Sequence, residues 1–320
     1  MIILQEKSEC CAAKIVRFGG KRRQCAACKK TWRVHPAKRG RKALRKSCVQ
    51  LKKIFIHGFT VKQSVGRAKL STSAAYKRFG KALSLITGKK RVIRVNGQKL
   101  ILLIDAQWQY FNDELWTLYF LSVKAVGMQS VVVLDPVLRV GKENIATWNQ
   151  VIDGLPKNVR KRVVAMVSDG IRGVETTAAD NAWIIQRCHF HLLSLLQKMR
   201  GKRASTQGRL VREEIYNSVK LALSEKSNRR LNVLCKRLSA LAKDPLCPKR
   251  MRMITRDFLR RLYEFRSYLD YPDLKLPTTV NVMESINSYT RRKSKSINNP
   301  YSWRKWAVAC VRFKSKFTCK

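Results

Sequence analysis

Acidic residues are scarce in this chain. Asp and Glu number 20 against 68 Lys and Arg, a formal net charge of +48 over 320 residues. So basic a chain repels itself unless it meets a polyanion, and the imbalance predicts nucleic acid as its partner. Long apolar runs are missing too. None approaches the roughly 20 residues of a membrane span, and no basic region followed by a long apolar stretch opens the sequence, so neither a membrane protein nor a secretory signal is expected. Nor does the sequence look like a disulfide scaffold: its ten cysteines are scattered through a long basic chain, which predicts a reducing, cytoplasmic, nucleoid-associated setting.

What acid there is lies unevenly. Residues 1–99 hold 28 Lys/Arg and 2 acids, residues 100–191 hold 9 and 9, and residues 192–320 hold 31 and 9. A neutral middle between two basic flanks is what a cation-binding site inside a DNA-binding protein needs.

Residues 1–40 read as a zinc-ribbon-like segment. Cys25-x-x-Cys28 is a spacing at which two thiolates take two corners of a tetrahedron, and Gly19-Gly20 suits a hairpin turn. Cys10 and Cys11 are adjacent, poorly placed to bind one ion together. The segment therefore either binds zinc through Cys10, Cys25, Cys28 and His35 or is degenerate and metal-free. Residues 41–90 read as a helix-turn-helix. One helix runs from Arg41 to about His57, with Leu44, Cys48, Leu51, Ile54 and Phe55 on one face. Thr60 caps a short helix, and Ser71 or Thr72 caps another to about Leu85 carrying Tyr76, Lys77, Arg78 and Lys81. In that layout the last helix enters the major groove of double-stranded DNA, and residues 51–99 contain no acid that would oppose it.

From residue 92 the pattern changes to strands. Val92 to Val95 with the turn Asn96-Gly97, an apolar run at 100–105, and apolar stretches at 115–126 and 130–134 precede a helix at 143–152; strands follow at 162–168 and 183–187. Three hairpin-connected strands, a helix and a strand parallel to the first make the order of a ribonuclease H-like mixed sheet, an α/β core. In that order the first and fourth strands are neighbours, so Asp105 and Asp169, each at a strand end, meet. Asp135 ends a strand about 10 Å away at the usual strand spacing, and Pro136 after it suggests a turn, so it is read as structural; Asp113 and Glu114 fall in a hairpin loop. Residues 201–276 read as amphipathic helices, beginning with Leu210, Ile215, Val219 and Leu223, inserted into a core that spans 91–200 and is completed by 277–320. There Thr278 or Thr279 caps a helix whose polar face carries Asn281, Glu284, Asn287 and Arg291, suited to metal and phosphate. Trp303 and Trp306 fit a core-facing closing helix.

The ordered set Ser168-Asp169-Gly170-x-x-Gly173, Gln186-Arg187-Cys188-His189-Phe190-His191 and Pro277-Thr-Thr-x-Asn281-x-x-Glu284-x-x-Asn287-x-x-x-Arg291 resembles the DDE transposases of bacterial insertion sequences related to the Mutator superfamily, over about residues 100–310. The resemblance implies a catalytic triad of Asp105, Asp169 and Glu284 holding Mg2+ or Mn2+, a Cys188/His191 signature pair, an all-helical insertion before the final Glu, and strand cleavage and joining at transposon ends by a homo-oligomer. The signature pair alone cannot hold zinc, so a structural or site-shaping role is expected for it, with His189 pointing the other way. Two rival readings are a transposase-derived regulator that binds DNA without cutting it and a structure-specific nuclease of the same fold.

Overall fold

The computed structural model describes residues 8, 10–18, 22–33, 47–55, 60–61, 63, 71–89, 91, 95–201, 205–294, 297–313 and 317–318. Near the N-terminus, β1 (Ile15–Arg17), β2 (Arg22–Cys25) and β3 (Thr31–Arg33) form a small antiparallel sheet. Residues 47–55 are helical, and Leu51, Ile54 and Phe55 of the expected apolar face are buried; Leu44 lies outside the described residues. Thr60 and Gln63 close a reciprocal capping box: Gln63 N–H donates to Thr60 Oγ1 (3.1 Å), and Thr60 N–H donates to Gln63 Oε1 (2.9 Å). Ser71 caps α1 (Thr72–Gly88) by accepting from Ala74 N–H. On α1, Ala75, Phe79, Ala82 and Leu83 turn inward, while Tyr76, Lys77, Arg78 and Lys81 are exposed together.

The large sheet runs in the order β10-β6-β5-β4-β8-β9. It is built from β4 (Leu100–Phe111), β5 (Glu114–Ala125), β6 (Ser130–Val133), β7 (Val137–Val140), β8 (Val163–Ser168), β9 (Ile184–Arg187) and β10 (Phe317–Thr318). β4 and β5 form a long hairpin whose two turn residues, Asn112 and Asp113, are both left-handed (φ 48° and 63°), the backbone a type I′ turn requires. β8 lies parallel to β4, and β9 parallel to β8. This is the ribonuclease H-like order expected, with three differences. Asp105, expected at a strand end, lies in the middle of β4, which runs on to Phe111. Val95 and Asn96 are not in a strand, while residues 92–94 lie outside the described residues. Conversely, β7 pairs with β5 just beyond β6, where Pro136 suggests only a turn.

Two apolar cores sandwich the sheet. Side chains alternate along a strand, so Leu100, Leu102 and Ile104 of β4 face Trp148, Val151 and Ile152 of α2 (Ile145–Asp153) and Val174 and Ala178 of α4 (Val174–Asp180); between those helices lies the short α3 (Lys157–Arg160). Ile101 and Leu103 face α10 (Asn281–Ser294), α11 (Pro300–Phe313), α1 and the helix at 47–55. Phe55 lies 5.3–5.6 Å, ring to ring, from Trp306, Phe313 and Tyr289, so the N-terminal helices and the C-terminal ones share one core. Full burial of such a ring is worth about 1.5–3 kcal/mol. Trp303 and Trp306 are core residues, as expected. Asp135 ion-pairs with Arg91 and Arg312, fastening β6 to α11.

A third core lies among α5 (His189–Met199), α6 (Arg209–Ser224), α7 (Asn228–Leu241), α8 (Lys249–Arg260) and α9 (Leu262–Asp270). Ile215, Val219 and Leu223 are buried in it, but Leu210 is 79% exposed because it sits in the first turn of α6, before that helix meets its neighbours. Among the described residues no helix is long and apolar enough to cross a membrane.

Candidate active site and cysteine cluster

The alternation that sends Ile101 and Leu103 toward α10 sends Asp105 the same way. β8 repeats it: Ala165 and Val167 face the α10 side, and Leu103 pairs with Val167. Asp105 and Asp169 each lie two residues further on, Asp105 still within β4 and Asp169 just past the end of β8. Asp105 is 3% exposed; its Oδ1 accepts from Ala106 N–H (2.9 Å), and its Oδ2 accepts from Asn287 Nδ2 (2.7 Å). From the other side α10 brings Glu284, in its first turn, and α5 brings His191; His191 Nε2 lies 2.9 Å from Glu284 Oε1. Ligand atoms of Asp105, His191 and Glu284 lie within 4.8 Å of one another.

Asp169 is partly exposed and is not in this group, although its charge acts on Asp105. Its loop is held tightly: Gly170 N–H donates to Ser168 Oγ, and Gly170 has φ +95° with the Arg187 guanidinium 2.6 Å from where a Cβ would be. Only glycine suits both the backbone and that contact. Burial pushes the Asp105 carboxyl well above its ordinary range, with the charges of Asp169 and Glu284 adding to the rise. Burial opposes a charge on His191, but Cys188, Glu284 and Asp105 outweigh it and hold its pKa at about 11. Glu143, ahead of α2, is pushed up to about 7 by burial and by Asp169, while its Oε1 accepts from Trp148 Nε1 (2.7 Å). Carboxylates gathered against their own repulsion are oxygen donors suited to a hard divalent cation. That donor set fits Mg2+ or Mn2+.

The signature pair divides its work. Cys188 is 1% exposed and sits at the N-terminus of α5, while His191, one turn on, reaches the acids. His189 points away, its Nε2 2.6 Å from the Phe265 carbonyl of α9. Of the residues expected on the phosphate-binding face of α10, Asn281 and Arg291 are exposed, but Asn287 is not: it is 3% exposed and bonded to Asp105. Sequence spacing missed this because one helix face looks the same whether it meets solvent or a buried carboxylate. It also left His191 outside the acid group, although Cys188 and His191 stand at the i, i+3 spacing that puts both on one side of a helix.

Near the N-terminus the thiols of Cys10, Cys11, Cys25 and Cys28 lie within 4.8 Å of one another. Cys10 and Cys11, adjacent and expected to be poorly placed for one ion, thus both lie in the group. A tight loop bends the chain there, with Ala12 N–H donating to the Ser8 carbonyl and Ala12 itself left-handed (φ 49°), and both thiols, though exposed, lie near those of Cys25 and Cys28. His35 lies outside the described residues. The Ser8 hydroxyl, 3.2 Å from Cys25 Sγ, is the chief cause of holding the Cys25 thiol down to about 6; hydrogen bonding with Cys28 pushes Cys11 up to about 12. Four thiols so placed match the tetrahedral, sulfur-rich donor set of structural zinc.

The chain belongs to the Mutator family of transposases: the family model described as "Transposase, Mutator family" matches residues 137–301. Membership makes it one of the enzymes that cut and join DNA. Among solved structures it is similar to the Drosophila P element transposase strand transfer complex, at 11% identity over 88% of this chain and 93% of that one, with a TM-score of 0.42. No curated protein matches it.

Proposed function

We propose that this transposase binds the inverted repeats at transposon ends, cleaves DNA strands there and joins the freed 3′ ends to target DNA, with Asp105, Asp169 and Glu284 as its catalytic acids. The observation that carries the reading is the convergence of Asp105 from β4 and Glu284 from α10, supported by the charge that Asp169, just past the end of the parallel strand β8, exerts on Asp105. Asp105, Asp169 and Glu284 would hold two Mg2+ or Mn2+ ions, which supply activation of the attacking oxygen and neutralisation of the leaving one. In cleavage a water oxygen bonds to phosphorus, the bond from phosphorus to the 3′ oxygen breaks, and a 3′-hydroxyl departs. In joining, that hydroxyl attacks a target phosphorus and displaces the target's own 3′ oxygen. Asp105 is held by its two donors, and His191 holds Glu284, so the acids meet the substrate in a fixed arrangement.

The exposed Tyr76, Lys77, Arg78 and Lys81 of α1 serve as the groove-reading face, with Arg291 against phosphate. Two ends must be brought together, so the active form is a homo-oligomer on DNA at the nucleoid. The thiols of Cys10, Cys11, Cys25 and Cys28 hold zinc, with Cys11 in the place that spacing alone gives to His35.

The test is incubation with Mn2+ or Mg2+, a labelled duplex carrying the inverted repeats that flank the gene, and a target plasmid. Metal-dependent nicking with joined products is expected, abolished by alanine at Asp105, Asp169 or Glu284. Tight repeat binding with no cleavage in either metal would make the chain a DNA-binding regulator instead; nicking without joining would make it a nuclease.

A further inference from the structure

The strand that carries Asp105 and the helix that carries Glu284 meet along a polar seam inside an otherwise apolar core. Asn287 Nδ2 donates to Asp105 Oδ2 at 2.7 Å, and one turn further along the helix Thr290 Oγ1 lies 2.6 Å from Gln107 Oε1, two residues further along the strand. All four residues are 2–3% exposed. The steps match: two residues on a strand and three on a helix each return a side chain to the same side. Flanking Asn287 and Thr290 are the buried apolar residues Ile286 and Tyr289, so apolar packing alone would have served to dock α10.

Polar pairs in such a place cost desolvation unless satisfied, and one atom of the seam is not. Asn287 Oδ1 is buried and accepts no hydrogen bond among the described residues. A buried acceptor without a partner is a rare and costly feature. It lies on the same amide whose nitrogen orients Asp105.

We propose that Asn287 is a positioning residue of the metal site. Its amide nitrogen fixes the Asp105 carboxylate, and its amide oxygen accepts a hydrogen bond from a water of the hydrated cation. The Thr290–Gln107 pair, one turn further along α10, closes on itself and bonds to neither acid. This rests on the reading of Asp105, Asp169 and Glu284 as metal ligands. Groups that orient a ligand change metal affinity by roughly 10–100-fold when removed.

The experiment measures Mn2+ binding to the full-length, DNA-free protein by the loss of the free-ion paramagnetic resonance signal, alongside thermal unfolding. Asn287→Leu keeps the volume and removes both polar atoms; Asn287→Ala backs it up if that variant does not fold. Thr290→Val, which touches no ligand, is the control for a purely structural effect. Asn287→Leu should weaken Mn2+ binding at least tenfold, with Thr290→Val staying within about twofold of the parent even if its unfolding temperature falls further. Equal affinities for Asn287→Leu and the parent, or equal weakening in Asn287→Leu and Thr290→Val, would overturn the proposal. Asp105→Ala separates the two ideas: if it too leaves Mn2+ binding intact, the metal reading fails; if it alone abolishes binding, only the role of Asn287 fails.

Discussion

Arg187 ties the large sheet to α8 and α9, and removing it should be among the most damaging single changes in the chain. It ends β9 with its side chain 6% exposed, 2.6 Å from Glu264 of α9 and 3.2 Å from Asp257 of α8, and its guanidinium lies 5.6 Å from the Phe265 ring. Glu264 is 1% exposed, and the contact is an ion pair rather than a directed hydrogen bond. In Arg187→Met, Glu264 keeps only Arg261 at 3.5 Å and the Tyr263 hydroxyl at 3.1 Å. Leaving a buried charge with no partner costs about 3–5 kcal/mol; with Arg261 and Tyr263 still in place the loss should lie at the lower end, about 3 kcal/mol, and removing the cation from the ring face adds about 1 kcal/mol. That is a large share of the 5–15 kcal/mol typical of a folded domain. Replacing both partners by apolar groups is often neutral, so Arg187→Met/Glu264→Leu should recover most of the loss. Urea unfolding followed by circular dichroism measures both variants. A single variant within about 1 kcal/mol of the parent, or a double variant as unstable as the single, would refute the reasoning.

Three further outcomes follow. Glu143 has a folded pKa of about 7 against an ordinary 4.5, so the folded state binds its proton more tightly than the unfolded one, and stability is lost as pH rises from about 4.5 through 7; the unfolding temperature of the metal-free parent should fall across that window relative to Glu143→Gln, and parallel curves would contradict this. Metal analysis of purified protein should give one zinc per chain, lost in Cys11→Ser but kept in His35→Ala; the reverse pattern would restore His35 as the fourth ligand. Replacing Lys77, Arg78 and Lys81 together by Ala should weaken binding to repeat DNA and flatten its dependence on log salt by about 0.9 for each phosphate no longer neutralised, as read by fluorescence anisotropy, with an unchanged slope counting against α1 as the DNA-facing helix.

The sheet was legible in the sequence because its central strands are apolar for longer than chance allows: β4, β5 and β8 announce themselves, and their order follows from chain connectivity. β7 was not, since four residues after a proline, two of them exposed, carry little periodic signal. Asp105 and Asp169 were readable as candidates because each follows an apolar run. The surroundings of those acids were not. Burial of Asn287, approach of His191 to Glu284 and entry of Cys11 into the thiol group are all decided by how distant segments dock, or by one left-handed residue such as Ala12, and neither leaves a mark in spacing.

Topology explains why the third acid of the proposed set comes from a helix. A parallel ladder can set two carboxylates on neighbouring strands about 4.8 Å apart; on the other side of β4 the facing residue of β5 is Phe120, which belongs to the apolar core. Any further carboxylate on that face must therefore come from whatever covers the sheet, and α10 covers it. Its position is in turn set by its neighbours, since Tyr289 packs on Phe55 and its hydroxyl lies 3.4 Å from the Ile54 carbonyl. The helix bearing Glu284 is thus docked on one side by the strand bearing Asp105 and on the other by the N-terminal helical unit that presents Lys77, Arg78 and Lys81. Geometry at the acids and the placement of the basic helix are held by one continuous core, so neither can shift without straining the other.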